Sequence, residues 1–235
     1  MNILSYLFKS SLGRKYIMAA SGLALFAFVI GHLLGNLQIF LAPEVINRYA
    51  QFLKDNIELV WGARIGLLGC IALHIWTAIS LSADNKAARP VAYADATPPA
   101  ASMASRTMLM SGLIVFFFIL YHLLHFTVQV EWVNGVEKTF HSLKTADGHH
   151  DVYSMVVIGF RQPLVALCYV IAVGLLCLHL SHGVGASFQS LGLKNKAWGP
   201  VIDTASKVVS FLIFVGYASI PLAVLTGIVG DSVAR

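Results

Sequence analysis

Five apolar stretches, residues 16–41, 60–83, 107–130, 160–183 and 208–230, are each long enough to cross a bilayer. The hydrocarbon core takes about 20 helical residues. The composition agrees: 57% of the residues are apolar, 11% are charged, and the mean hydropathy is +0.75. Soluble domains carry about 25% charged residues. The expected fold is an all-α membrane protein, one integral-membrane domain over residues 1–235 with five transmembrane helices, the first four forming a bundle. The longest connection, 131–159, is too short to hold a nucleotide-binding or iron–sulfur domain. The chain therefore acts inside the membrane or with soluble partners.

Lys9, Arg14 and Lys15 precede the first stretch as in a signal peptide. A signal core runs only about 7–15 residues, and this one runs on through Gly31, His32, Gly35 and Asn36, so it reads as a retained helix. Cys70, Cys168 and Cys177 all fall in apolar spans, with no C-x-x-C pair and no haem-attachment motif; buried packing is expected of them. The N-terminal tail and loops 84–106 and 184–207 hold nine Lys/Arg against three acids, and the opposite side holds seven against eight. This asymmetry puts the N-terminus in the cytoplasm and the C-terminus outside. Trp61 and Trp132 fit interfacial anchors, residues 2–13 a short surface helix, and the Ala/Pro-rich loop 84–106 a flexible connector.

Nine histidines stand out in so apolar a chain. His141, His149 and His150 fall in the outer loop, where solvated surface is the expectation. The other six, His32, His74, His122, His125, His179 and His182, lie in the first four helices, and the fifth has none. Ionisable groups in spans are costly and mark functional sites by default. At 1.5 Å rise per residue, His32 and His122 lie about 24 and 22 Å from the inner surface, and His74 and His179 about 21 and 28 Å from the outer one. Two facing pairs thus fall at two depths. A lone intramembrane histidine is ordinarily a hydrogen-bonded core residue; four, paired by depth on four helices, match two bis-histidine haems held in a four-helix bundle. The chain also echoes itself: Gly31-His32-Leu33-Leu34 with Tyr121-His122-Leu123-Leu124, and Leu73-His74-Ile75 with Leu178-His179-Leu180. The first two helices correspond on this basis to the third and fourth.

The strings Gly31-His32-Leu33-Leu34-Gly35-Asn36, Leu73-His74-Ile75-Trp76, Tyr121-His122-Leu123-Leu124-His125 and Leu178-His179-Leu180-Ser181-His182-Gly183 resemble the di-haem cytochrome b membrane anchor of succinate:quinone oxidoreductases, the succinate dehydrogenases and fumarate reductases, in its single-subunit five-helix form. The resemblance spans the whole chain, but its specific content lies in these four motifs. It implies two b haems, with His32 and His122 on the outer haem and His74 and His179 on the inner. It also implies a quinone, menaquinone being common, and a flavoprotein and an iron–sulfur subunit docked on the cytoplasmic face of a prokaryotic inner membrane. Electrons would pass between succinate or fumarate on the flavoprotein and the quinone. Loop 84–106 departs from the family's pattern.

Around the expected haems, the polar candidates are Asn36, Gln38, Gln129 and Arg64 outside and Ser21, Ser181, His182, Arg14 and Lys15 inside. Ser21 precedes His32 by eleven residues, three turns on one face, so its hydroxyl points toward the inner haem, to bond a propionate or its own helix. His125 and His182 are expected beside the haems, bonding a propionate or assisting a quinone proton, against the plain alternative of interfacial histidines. Other readings stay open on the sequence: the di-haem cytochrome b of a hydrogenase or formate dehydrogenase, or a proton-coupled transporter with a histidine relay. No motif points to catalysis by this chain alone; Gly183-Val184-Gly185 has Phe188 where a third nucleotide-binding glycine belongs.

Overall fold

The computed structural model describes residues 2–88, 107–134, 139–231 and 233. Among these the chain is helical, and the only extended pairing is an isolated bridge between Lys144 and His150. Five segments, Ser11–Phe40, Ile57–Ala87, Met108–Thr127, Pro163–Ser190 and Gly199–Leu225, are long and apolar enough to cross a membrane. The protein is a multi-pass membrane protein of all-α class.

Local chemistry sets the helix ends. In α1 (Ile3–Lys9), the Asn2 side chain accepts the Ser5 N–H at 2.9 Å. Ser10 is extended and ends that helix, and its hydroxyl accepts the Gly13 N–H to start α2 (Ser11–Asn36). The expected surface helix over 2–13 is therefore shorter and ends in a corner. A Cβ on Gly13 would stand 2.5 Å from the Leu7 backbone, so only glycine lets the corner close this tightly. Helix α3 (Pro43–Asp55) opens with proline, which has no N–H to lose there. Then come α4 (Ile57–Ala87), α5 (Met108–His122), α6 (Glu131–Asn134), α7 (Val152–Phe160), α8 (Pro163–Ser190) and α9 (Gly199–Leu225).

The spanning helices differ from the apolar runs at their ends. The third ends at Thr127, not 130, because the α-helix gives way after His122 to a π-helical turn, Leu123–Thr127, and Gln129 then adopts φ 58°. The fourth starts at Pro163 and continues to Ser190, past the apolar run, with Val184 and Gly185 still buried. The fifth starts at Gly199, behind an Asn195 side chain that accepts the Ala197 and Trp198 N–H groups. Loop 84–106 begins as helix through Ala87, and its residues 89–106 lie outside the described residues. Of the cysteines only Cys177 is buried, and Cys168 is exposed. A bilayer is as apolar as a core, so a small thiol on a spanning helix has no need to turn inward.

The described residues form two compact units, and each long helix contributes to both. One draws on Met1–Val29, Ala63–Ser111 and Leu178–Ser210. Within it Arg14 pairs with Asp84, Lys194 reaches Asp203 at 2.6 Å, and Phe8 packs on Trp76. The other draws on Ile30–Gly62, Gly112–Cys177 and Phe211–Arg235. Its core joins Ile39, Ile46 from α3, Phe140, Tyr153 and Val157 from α7, Tyr169 from α8 and Ile220 from α9. Two connections that read as plain loops, 42–59 and 131–159, thus carry helices that build this core.

Candidate functional site: two facing histidine pairs

His32 on α2 and His122 at the end of α5 face each other in the second unit, their ring centroids 5.8 Å apart and their planes at 79°. His74 on α4 and His179 on α8 do the same in the first unit, at 6.3 Å and 64°. Two imidazoles bound to one metal through bonds of about 2.0–2.1 Å have centroids roughly 6 Å apart. Both pairs match that separation. The donor set narrows the choice further. Among the described residues no three His, Cys, Asp or Glu side chains converge as a metal site. A bare protein-bound ion needs three or four such ligands, whereas haem iron takes its in-plane ligands from the porphyrin and only the axial ones from protein. Two facing imidazoles are a donor set that haem iron could use.

Around the first-unit pair, Ser21 Oγ donates to its own helix at Ile17 C=O (2.7 Å) and lies 3.4 Å from His74 Nδ1. Ser111 Oγ lies 3.2 Å from His179 Nδ1 and 3.1 Å from Met108 C=O. Gly22 admits His74, since a Cβ there would stand 3.2 Å from its Cε1. Ser111 escaped the sequence reading, though it precedes His122 by the same eleven residues that separate Ser21 from His32. The echo is in fact long. Residues 18–34 and 108–124 share nine of seventeen residues, including Met-x-x-Ser-Gly and the His-Leu-Leu that closes each string. Each histidine pair therefore joins equivalent positions of an internal repeat.

Around the second-unit pair the surroundings are not repeated. The Tyr169 hydroxyl on α8 lies 3.4 Å from His122 Nδ1 and 3.0 Å from His125 Nδ1. Tyr169 precedes His179 by ten residues, and the residue ten before His74 on α4 is Arg64. Arg64 is exposed. His125 is fully buried against Phe126, Phe140 and Tyr121. A cavity of about 220 Å³ adjoins the pair, lined by His32, Asn36, His122, Tyr169 and, from α9, Tyr217 and Pro221. Tyr217 lies tilted against His32 with centroids 6.2 Å apart, so the helix without histidines contributes as well. No sequence signal pointed to Tyr169 or Tyr217.

The remaining candidates take other roles. Asn36 donates to the His32 carbonyl at 2.7 Å, and Gln38 is half-buried. Gln129 turns to His150 Nε2 (3.1 Å) and Met155 Sδ (3.2 Å). His150 is thus not the solvated histidine expected of a loop, whereas His141 and His149 are exposed. Ser181 donates to its own helix at Leu178 C=O, Arg14 is taken by Asp84, and Lys15 is exposed. His182 is half-buried, in electrostatic reach of Lys194 and Asp203. Compared with protein families, characterised proteins and solved structures, the chain matches none.

Proposed function

We propose that this chain is the membrane-anchor cytochrome b subunit of a succinate:quinone oxidoreductase, binding one b haem between His32 and His122 and a second between His74 and His179. The observation that carries the reading is the pairing itself: two facing imidazoles, at a metal-spanning separation, twice, each pair made of equivalent residues of the internal repeat. Haem b supplies one-electron transfer, which the chain's own side chains lack. The chain would supply the imidazole ligands, their orientation and an apolar surround. His32 and His122 do so beside the cavity in the second unit, where Tyr169 fixes the rotation of the His122 ring. His74 and His179 do so against Ser21, Ser111 and Gly22.

The partners in this reading are a flavoprotein and an iron–sulfur subunit on the cytoplasmic side of a prokaryotic inner membrane, with menaquinone as the lipid-soluble electron carrier. Exposed Lys9, Lys15, Lys86, Lys196 and Lys207 belong to the unit that holds His74 and His179. They support docking of the soluble partners there, by the same charge bias that orients the helices. This chain alone does not oxidise succinate. The test is an absorption spectrum of the protein purified in mild detergent, with mass analysis of what accompanies it. The expected result is reduced b-type bands at two haems per chain and co-purifying flavin and iron–sulfur subunits. A colourless protein overturns the reading.

A further inference from the structure

Serine inside a helix ordinarily bonds its own backbone, and Ser21 and Ser111 both do so. That bond uses the hydroxyl hydrogen and leaves the oxygen lone pairs facing outward. In each case what they face is the Nδ1 of a histidine on another helix: His74 at 3.4 Å and His179 at 3.2 Å. With its one hydrogen given to its own helix, each hydroxyl can only accept from the ring, so the Nδ1 on this side carries the proton. Ser21 Oγ also lies 3.2 Å from Met18 C=O, as Ser111 Oγ lies 3.1 Å from Met108 C=O. Met18 with Ser21 and Met108 with Ser111 are equivalent residues of the repeat, three apart on one helical turn.

We infer that Ser21 and Ser111 are positioning residues for the His74–His179 haem, each holding its histidine as the Nδ1–H tautomer so that Nε2 keeps its lone pair for iron. The inference rests on the cytochrome reading above. A metal-bound imidazole that donates its second N–H to an acceptor is fixed in rotation and made a more basic ligand. More basic ligands favour ferric iron and lower the potential. The two hydroxyls act together on one haem, because both of its ligands carry the device. At the His32–His122 pair, Asn36 Nδ2 lies 3.4 Å from the His32 ring nitrogens and the Tyr169 hydroxyl 3.4 Å from His122 Nδ1.

The test uses the full-length protein in its assembled complex, with Ser21→Ala, Ser111→Ala, the double variant and Ser→Thr at both positions. Haem b per chain is measured, followed by a potentiometric titration. The couple missing from His179→Leu identifies the haem concerned. Each Ala variant is expected to raise that couple's potential, and the double variant to change its reduced-to-oxidised ratio about tenfold, which is 59 mV for one electron. The other couple stays in place, and Thr, which keeps the hydroxyl, restores the parent value. Loss of the haem in the Ala variants with retention in the Thr variants also supports the inference. Two haems with superimposable titrations in parent and Ala variants overturn it and leave the cytochrome reading standing. Loss of haem in both Ala and Thr variants overturns it too, by showing that serine's size matters and not its hydroxyl. A parent protein without haem removes the cytochrome reading itself.

Discussion

The hydroxyl of Tyr169 lies 3.0 Å from Nδ1 of His125, inside a core of packed aromatic rings. Tyr169→Phe keeps the ring and deletes only the oxygen. A buried imidazole nitrogen then loses this partner, at a cost of about 1–3 kcal/mol. Thermal unfolding in detergent should move down by about 2–4 °C per kcal/mol for a chain of this size. An unchanged midpoint would show that the bond contributes nothing.

His122 and His125 share Tyr169 yet differ in what stands opposite. His122 faces His32, whereas His125 is enclosed by Phe126, Phe140 and Tyr121. His122→Leu is expected to lose one haem per chain. His125→Leu is expected to keep two while losing stability. Haem quantification with an unfolding curve separates the outcomes, and the reverse result moves the ligand one turn along the helix.

A Cβ at position 22 would stand 3.2 Å from His74 Cε1 and 3.4 Å from its Nδ1. Gly22→Ala therefore displaces the ring by a few tenths of an ångström and weakens its pairing with His179. Gly62→Ala, where nothing stands within 4 Å of the new atom, serves as the control. The expected result is reduced occupancy or an altered spin-resonance signal of the His74–His179 haem in the first variant alone. Matching haem content and spectra in both would place His74 elsewhere.

Hydropathy made the five spans legible, and counting residues along the helices made the pairing of His32 with His122 and His74 with His179 legible. Helix rise is uniform, so depth survives small errors in where a helix begins. Azimuth does not. The π turn at Leu123–Thr127, which an apolar pattern does not reveal, carries His125, whose side chain is fully buried. Tyr169 and Tyr217 were invisible because an aromatic residue in an apolar helix looks the same whether it faces lipid or a histidine. Helices α3 and α7 were missed for another reason. Their apolar faces are buried in one shared core, through Ile46, Tyr153 and Val157, and neither is long enough to register as a span.

The start of α7 should be sensitive to acid, in two stages. Asp151 accepts the Ser154 N–H at 3.0 Å, the Ser154 hydroxyl at 2.6 Å and the Asn47 amide at 2.9 Å, while Asn47 in turn accepts the Tyr153 N–H. Burial acts against the carboxylate charge, but the bonds from Ser154 and Asn47, with His150 nearby, outweigh it and hold the group below its ordinary 3.8. A depressed carboxylate stabilises the fold above the unfolded value, and that contribution is lost as pH falls through the folded one. His150 is held below its ordinary 6.5, chiefly by burial, with Lys144 and His141 adding to the effect and the Leu143 carbonyl and Asp151 opposing it. The unfolded chain therefore takes up this proton first, and stability declines as pH falls from about 6.5. Hydrogen-exchange protection of the Tyr153 and Ser154 amides should be level above pH 7, fall below about pH 6.5, and fall again below about pH 4. His150→Ala should abolish the first step and Asp151→Ala the second, the latter also costing about 1 kcal/mol at every neutral pH through loss of the cap. Protection that stays level from pH 7.5 to 5 in the parent protein would mean that His150 is not linked to this helix start.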